Sequence, residues 1–180
     1  TQLVLDGGDI AVFTFGLLSN FPRDPKTLFY PISMGHLGTG IPHAIGAQMA
    51  NPDKLTVCLT GDGSFMFNIQ ELDTAVRLNL PIIILVANNS CWGMIKSNQK
   101  NNLKKRYCDV DFPSTNYAEY AKGFGCYTEK VKQPEEIKPA MQRAIDSGKP
   151  AVIDVDIAFE TPMAMKIVGL YKKQKGLFNK

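Results

Sequence analysis

Short apolar runs alternate along the chain with longer segments of helical periodicity. Leu3-Val4-Leu5 and residues 27–30, 55–60, 82–87, 126–131 and 151–157 read as strands. Between them, residues 10–18 are apolar and predict a helix. Residues 41–48 predict a small-residue helix with Pro42 in its first turn and a stop at Asn51-Pro52. In residues 68–80, Ile69, Leu72, Val76 and Leu80 share one helical face. Asn68 and Glu71 stand there at capping-box spacing, and Pro81 ends the segment. Residues 116–124 and 134–147 complete the predicted helices. The run 82–87 is apolar at every position, as suits a central parallel strand covered on both faces. Strand–helix alternation without an internal repeat predicts an α/β fold, a doubly wound parallel sheet of about six strands with helices on both faces. Ligands are then expected at the carboxyl ends of the strands.

Composition narrows this picture only a little. The 180 residues allow one domain with a sizeable core, and 44% hydrophobic with 21% charged residues is ordinary for a globular chain. A net charge of +3 gives no reason to expect a nucleic-acid partner. Cys58, Cys91, Cys108 and Cys126 form neither a CxxC pair nor a disulfide spacing, so a reducing cytoplasm is the simpler compartment. The longest wholly apolar run, residues 82–87, is far too short to cross a membrane, and no signal peptide is visible. The chain begins at Thr1, already inside a predicted strand and without an initiator Met, which fits a fragment or a processed chain.

The chemistry concentrates between Gly61-Asp62-Gly63-Ser64 and Asn88-Asn89. Asp62 follows one central strand and Asn89 follows the next, so neighbouring strands would bring a carboxylate and an amide oxygen together. Hard oxygen donors of this kind suit Mg²⁺, which keeps the rest of its octahedron for phosphate oxygens and water. Gly61 and Gly63 let backbone pass close to a phosphate, and Ser64 adds a hydroxyl at the entrance of the next segment.

Together these residues resemble the signature of thiamin-diphosphate enzymes. Residues 70–77 with Leu80-Pro81 are similar to the acetolactate synthase and benzaldehyde lyase branch. The resemblance covers roughly residues 3–157 and corresponds to that family's C-terminal, diphosphate-binding domain, leaving residues 158–180 as a tail and possible flap. It implies Mg²⁺ on Asp62, the Asn89 side chain and the Cys91 carbonyl. It implies diphosphate contacts from Gly63, Ser64 and the Gly8-Asp9-Ile10 turn. Leu37 would bend the cofactor from beneath, with the backbone of Gly35 and Leu37 on the aminopyrimidine. Trp92, Gly93 and Met94 would line the thiazolium, and Ile95 would face the substrate. His36, in the same loop as Leu37, either approaches the substrate or only places backbone.

The family's activating glutamate lies on a separate pyrimidine-binding domain, and nothing in this chain matches that domain. No catalytic residue is therefore expected here, and Glu71 reads as a helix cap. A partner is implied, either elsewhere in the same polypeptide or as another subunit, as is a homodimer or homotetramer. Acetolactate synthase-like decarboxylation and carboligation of 2-oxo acids is the first reading. Asn98 stands where many such synthases carry a tryptophan, and residues 89–93 resemble benzaldehyde lyase instead. A 2-hydroxy ketone lyase and a 2-oxo acid decarboxylase thus stay open, as does a non-catalytic cofactor-binding subunit. A dinucleotide site fits less well, because Gly38-Thr39-Gly40 lacks the third glycine. His43 reads as structural. The basic segment Lys96, Lys100, Lys104, Lys105 and Arg106 reads as a solvated loop.

Overall fold

The computed structural model describes residues 1–18, 20–21, 24–30 and 35–160. Ser33 and Met34 of the predicted cofactor loop lie outside the described residues, as does the tail with Lys166, Lys172, Lys173, Lys175 and Lys180. Six strands, β1 (Gln2–Leu5), β2 (Leu28–Phe29), β3 (Thr56–Gly61), β4 (Ile83–Asn88), β5 (Tyr127–Val131) and β6 (Ala151–Asp156), form one sheet in the order β2-β1-β3-β4-β6-β5. Every pairing is parallel. The chain runs outward from β1 to β2 and then returns to place β3 on the other side of β1. The strand order therefore reverses between β1 and β3, and a crevice opens at that point along the carboxyl edge.

Alternation along β4 explains why the sheet must be covered on both sides. Helix α1 (Asp9–Leu18) follows β1, and Ile84 and Val86 pack into a core with Ile41, Ala44, Phe65, Leu72, Ala75 and Tyr117, beneath α2 (Gly40–Ala50), α4 (Glu71–Arg77) and α6 (Tyr117–Lys122). Ile83, with Leu85 against it, packs into the opposite core with Ala140 and Ala144 of α7 (Pro134–Ser147). A strand buried on both faces has no polar side to show, hence the unbroken apolar run.

Three expectations change. The capping box foreseen at Asn68 and Glu71 is absent, and α4 begins at Glu71 without a side-chain cap. Asn68 instead donates to the Gly38 carbonyl at 2.7 Å, and Glu71 accepts from Thr74 at 2.9 Å. A capping box does form at Gln133 and Glu136, opening α7. Residues 62–67, for which no helix of their own was expected, form a short helix, α3 (Asp62–Phe67). The basic segment is largely helical too, because α5 (Gly93–Asn102) runs through Lys96 and Lys100.

Candidate functional site

The β3/β4 register places Gly61 beside Ala87, so the two chains leave the sheet side by side. Asp62 is buried at the start of α3. Its Oδ1 accepts the Gly63 N–H at 2.7 Å, and its Oδ2 accepts the Asn89 N–H at 3.1 Å. Burial pushes this carboxyl up from its ordinary value, and the backbone donors oppose that shift. Asn89 turns its own Oδ1 onto the Cys91 N–H at 3.2 Å. The turn is held from outside by the segment after α5, with Trp92 N–H on the Val110 carbonyl and Phe112 N–H on the Ser90 carbonyl, both at 2.8 Å.

Trp92 forms a wall. Its ring lies so close over Gly63 that a Cβ there would meet it at 2.3 Å. Phe112 meets it edge-on with ring centroids 4.9 Å apart, and the Phe67 ring centroid lies at 6.0 Å. This aromatic group also lines a second hollow of about 380 Å³, which reaches Met66, Tyr117 and Tyr120.

Asp6, just past β1, organises the opposite bank. Its carboxylate accepts the N–H groups of Gly38 at 3.2 Å and Gly40 at 2.9 Å, which fixes the loop carrying Leu37 against the sheet edge. Burial raises its pKa. Asp6 was not among the expected site residues. Its position at the end of a predicted strand, ahead of two glycines, was the available signal.

Between these banks lies a cleft of about 240 Å³. Gly8, Asp9, Ile10, Gly35, Leu37, Asp62, Gly63, Ser64, Asn89, Cys91, Trp92, Gly93, Met94 and Ile95 all line it. Of the residues expected at the site, His36 alone does not; it is exposed on the same loop. His43 also stays apart, its Nδ1 2.7 Å from the Thr39 carbonyl. Phe13, Ile157, Ala158 and Glu160 join the lining, Ala158 and Glu160 from the segment expected to be a tail and possible flap. Ile157, Ala158 and Glu160 belong to the segment that follows β6, tethered by Ile157 N–H to the Asn88 carbonyl at 2.9 Å.

One group in the cleft is unsatisfied. Both carboxylate oxygens of Asp9 are shut off from solvent and lack a hydrogen-bond partner. Desolvation pushes Asp9 up to about 6. Gly93 leaves room for this side chain, since a Cβ there would lie 2.7 Å from Asp9 Oδ2. The lining fits a diphosphate with a hard cation by the chemistry of its groups: the buried Asp62 carboxylate bonded to the backbone of Asn89, which carries an amide oxygen, and the Ser64 hydroxyl with the backbone of Gly8 and Gly63 along the same cleft.

Residues 6–155 match the family described as "Thiamine pyrophosphate enzyme, C-terminal TPP binding domain". The chain is 34% identical over 144 residues to a probable acetolactate synthase large subunit of Methanococcus aeolicus, covering 79% of this chain and 24% of that protein. It is 34% identical over 136 residues to a sulfoacetaldehyde acetyltransferase of Alcaligenes xylosoxydans xylosoxydans, covering 73% and 23%. Among solved structures, a thiamine diphosphate-dependent 4-hydroxybenzoylformate decarboxylase of Rhodococcus jostii RHA1 superposes with a TM-score of 0.77 at 26% identity. That likeness covers 88% of this chain and 30% of the other. The chain thus spans about a quarter of the length of the curated relatives it matches.

Proposed function

The chain belongs to the family of C-terminal TPP-binding domains of thiamine pyrophosphate enzymes, and on that premise we propose that it is the diphosphate-and-metal half of an acetolactate synthase-like active site. The observation that carries this reading is the meeting of Asp62 and Asn89 at the ends of adjacent parallel strands, joined by a 3.1 Å hydrogen bond. In this reading Mg²⁺ is held by Asp62, the Asn89 side chain and the Cys91 carbonyl. Gly63, Ser64 and the Gly8-Asp9-Ile10 turn receive the diphosphate. Leu37 and Met94 support the reactive end from opposite banks, Gly35 offers backbone to the ring, and Trp92 and Gly93 close the side. Ile95 faces the substrate, whereas His36 reaches it only if its loop closes.

Bound thiamin diphosphate would supply a nucleophilic carbon and an electron sink for a carbonyl substrate. The residues of this chain bind, orient and exclude water. Asp62 offsets metal charge, and the apolar faces of Leu37, Met94 and Trp92 keep the reacting end dry. The proton-handling glutamate is supplied by a pyrimidine-binding domain, in the same polypeptide or a partner subunit, within a homodimer or homotetramer in the cytoplasm. Residues 1–157 form the binding unit, and the segment that begins at Ala158 would close over it as a flap. The placing of Ile157, Ala158 and Glu160 on the cleft supports the flap.

The substrate class is a small 2-oxo acid, decarboxylated and joined to a second carbonyl compound. The acetolactate synthase relatives favour this reaction. The decarboxylase among the structural neighbours supports the simpler outcome, decarboxylation without ligation. Assaying the full-length protein with pyruvate, benzoin and glyoxylate separates the possibilities. Acetolactate from pyruvate is the expected product. Benzaldehyde from benzoin would move the assignment to the hydroxy ketone lyases, and no turnover with any 2-oxo acid or hydroxy ketone would leave a binding subunit.

A further inference from the structure

Behind the proposed metal turn lies a buried polar network that the cleft never exposes. Asp154 of β6 has no solvent exposure and stands two strands from Asp62, across β4. Three donors converge on its two oxygens. Asn88 Nδ2 donates to Oδ1 at 3.1 Å, Tyr117 N–H donates to Oδ2 at 2.8 Å, and Lys130 Nζ stands 2.9 Å from Oδ2. Lys130 is half-buried and also pairs with Asp156, so the buried charge is compensated at its own sheet edge.

Asn88 is the receiving end. Its Nδ2 is drawn to Asp154 and to the Thr115 carbonyl at 3.0 Å. The amide is thereby oriented with Oδ1 toward the turn, where it accepts Ser90 N–H at 3.2 Å and Ser90 Oγ at 3.3 Å. Ser90 has φ +53°, a left-handed conformation that a residue with a Cβ holds only when its surroundings favour it. Immediately before Ser90 stands Asn89, bonded through its N–H to Asp62, and immediately after it stands Cys91, bonded to Asn89 Oδ1.

We infer that Asp154 is a positioning residue for the metal site: by orienting Asn88 it holds the Asn88–Cys91 turn in the one shape that brings two donors to the cation beside Asp62. The inference rests on the magnesium reading above. Neither Asp154 nor Lys130 lines the cleft, and Asn88 is the partner through which Asp154 reaches the 89–91 turn. An asparagine at 154 would turn an N–H₂ toward one of the three donors and free the Asn88 amide to rotate. Groups bonded directly to metal ligands typically change affinity by about 10–100-fold, and Asp154 acts from further out through Asn88, so the lower end of that range is expected.

The test titrates Mg²⁺ into the 180-residue chain at fixed thiamin diphosphate, read by the fluorescence of Trp92, its sole tryptophan. Urea unfolding of each variant without Mg²⁺ gives the folded fraction. Asp154→Asn is expected to weaken Mg²⁺ by at least 10-fold in the folded protein. On an Asn88→Ser background the same substitution is expected to add less than 2-fold, because the path is already cut. Should Asp154→Asn fail to fold, Asn88→Ser alone leaves Asp154 with Lys130 and Tyr117, and the same 10-fold loss is expected. Unchanged Mg²⁺ affinity in the folded variants, or a full additive loss in the double variant, overturns the inference. A wild-type chain with no Mg²⁺ response overturns the magnesium reading as well, which distinguishes the two failures.

Discussion

Substituting Gly63 with alanine probes the cleft at its tightest point. The added Cβ would stand 2.3 Å from the Trp92 ring, whereas ordinary contact begins at 3.4 Å. The indole must therefore retreat by about 1.1 Å, the difference of those two distances. Retreat is opposed by Phe112, packed edge-on at 4.9 Å, and by Phe67. Overpacking of a well-filled contact costs about 1–3 kcal/mol, and in a chain of this size each kcal/mol lowers Tm by roughly 2–4 °C. The functional effect is expected to be larger than the stability effect. A wall displaced by about 1 Å beside a reacting centre can cost on the order of 100-fold in rate. The assay pairs thermal unfolding with the emission maximum of Trp92, whose move from its aromatic cage shifts the spectrum directly. In the full-length protein, kcat is expected to fall by about 100-fold with a smaller change in KM. An unshifted emission maximum with unchanged turnover would refute the packing argument.

Asp9→Asn tests the unsatisfied carboxylate through pH. Its folded pKa of about 6 lies above the ordinary 3.8, so the native state favours the protonated form. Wild-type stability is accordingly lost as pH rises from about 4 to about 6 and then levels off. The full displacement is worth about 3 kcal/mol, reduced to about 1–2 kcal/mol because the residue is only half-buried. Urea unfolding of the variant should show that gain at pH 8 and none at pH 3.5; an equal gain at both would count against it. Gly40→Ala would set a Cβ 2.8 Å from both the Asp6 side chain and the Cys58 sulfur, expelling Asp6 from its loop-holding role. A loss of about 1–3 kcal/mol in urea is expected, and a neutral result would show that the Asp6 bonds to Gly38 and Gly40 are dispensable. Leu37→Ala should barely alter stability, since Leu37 is 37% exposed, yet should lower turnover of the full-length protein. Equal losses in both measurements would make Leu37 a packing residue.

The sheet was legible because each strand carries its own signal. The apolar run 82–87 needs cover on both faces, and the strand ends Asp6, Gly61 and Asn88 are polar or glycine where the chain leaves the core. The convergence of Asp62 with Asn89 was legible for the same reason: parallel neighbours release their next residues at one edge. Helix starts were less readable. Asn68 has a better partner in the Gly38 carbonyl than in its own helix, a tertiary contact that no local pattern encodes. Helix α5 was obscured because only Met94 and Ile95 of its first turn are apolar, leaving no stripe to detect. Asp154 gave no signal at all. It sits in the apolar strand 151–156, and its value lies in three donors drawn from β4, β5 and α6.

Calorimetric titration of the chain with thiamin diphosphate, with and without Mg²⁺, decides whether Asp62 and Asn89 hold the cofactor through a metal ion. Binding is expected to require Mg²⁺ and to be abolished separately by Asp62→Ala and by Asn89→Ala, each in a chain that still unfolds cooperatively. Binding that ignores Mg²⁺ and survives both substitutions, or binding of NAD in place of thiamin diphosphate, would contradict that expectation.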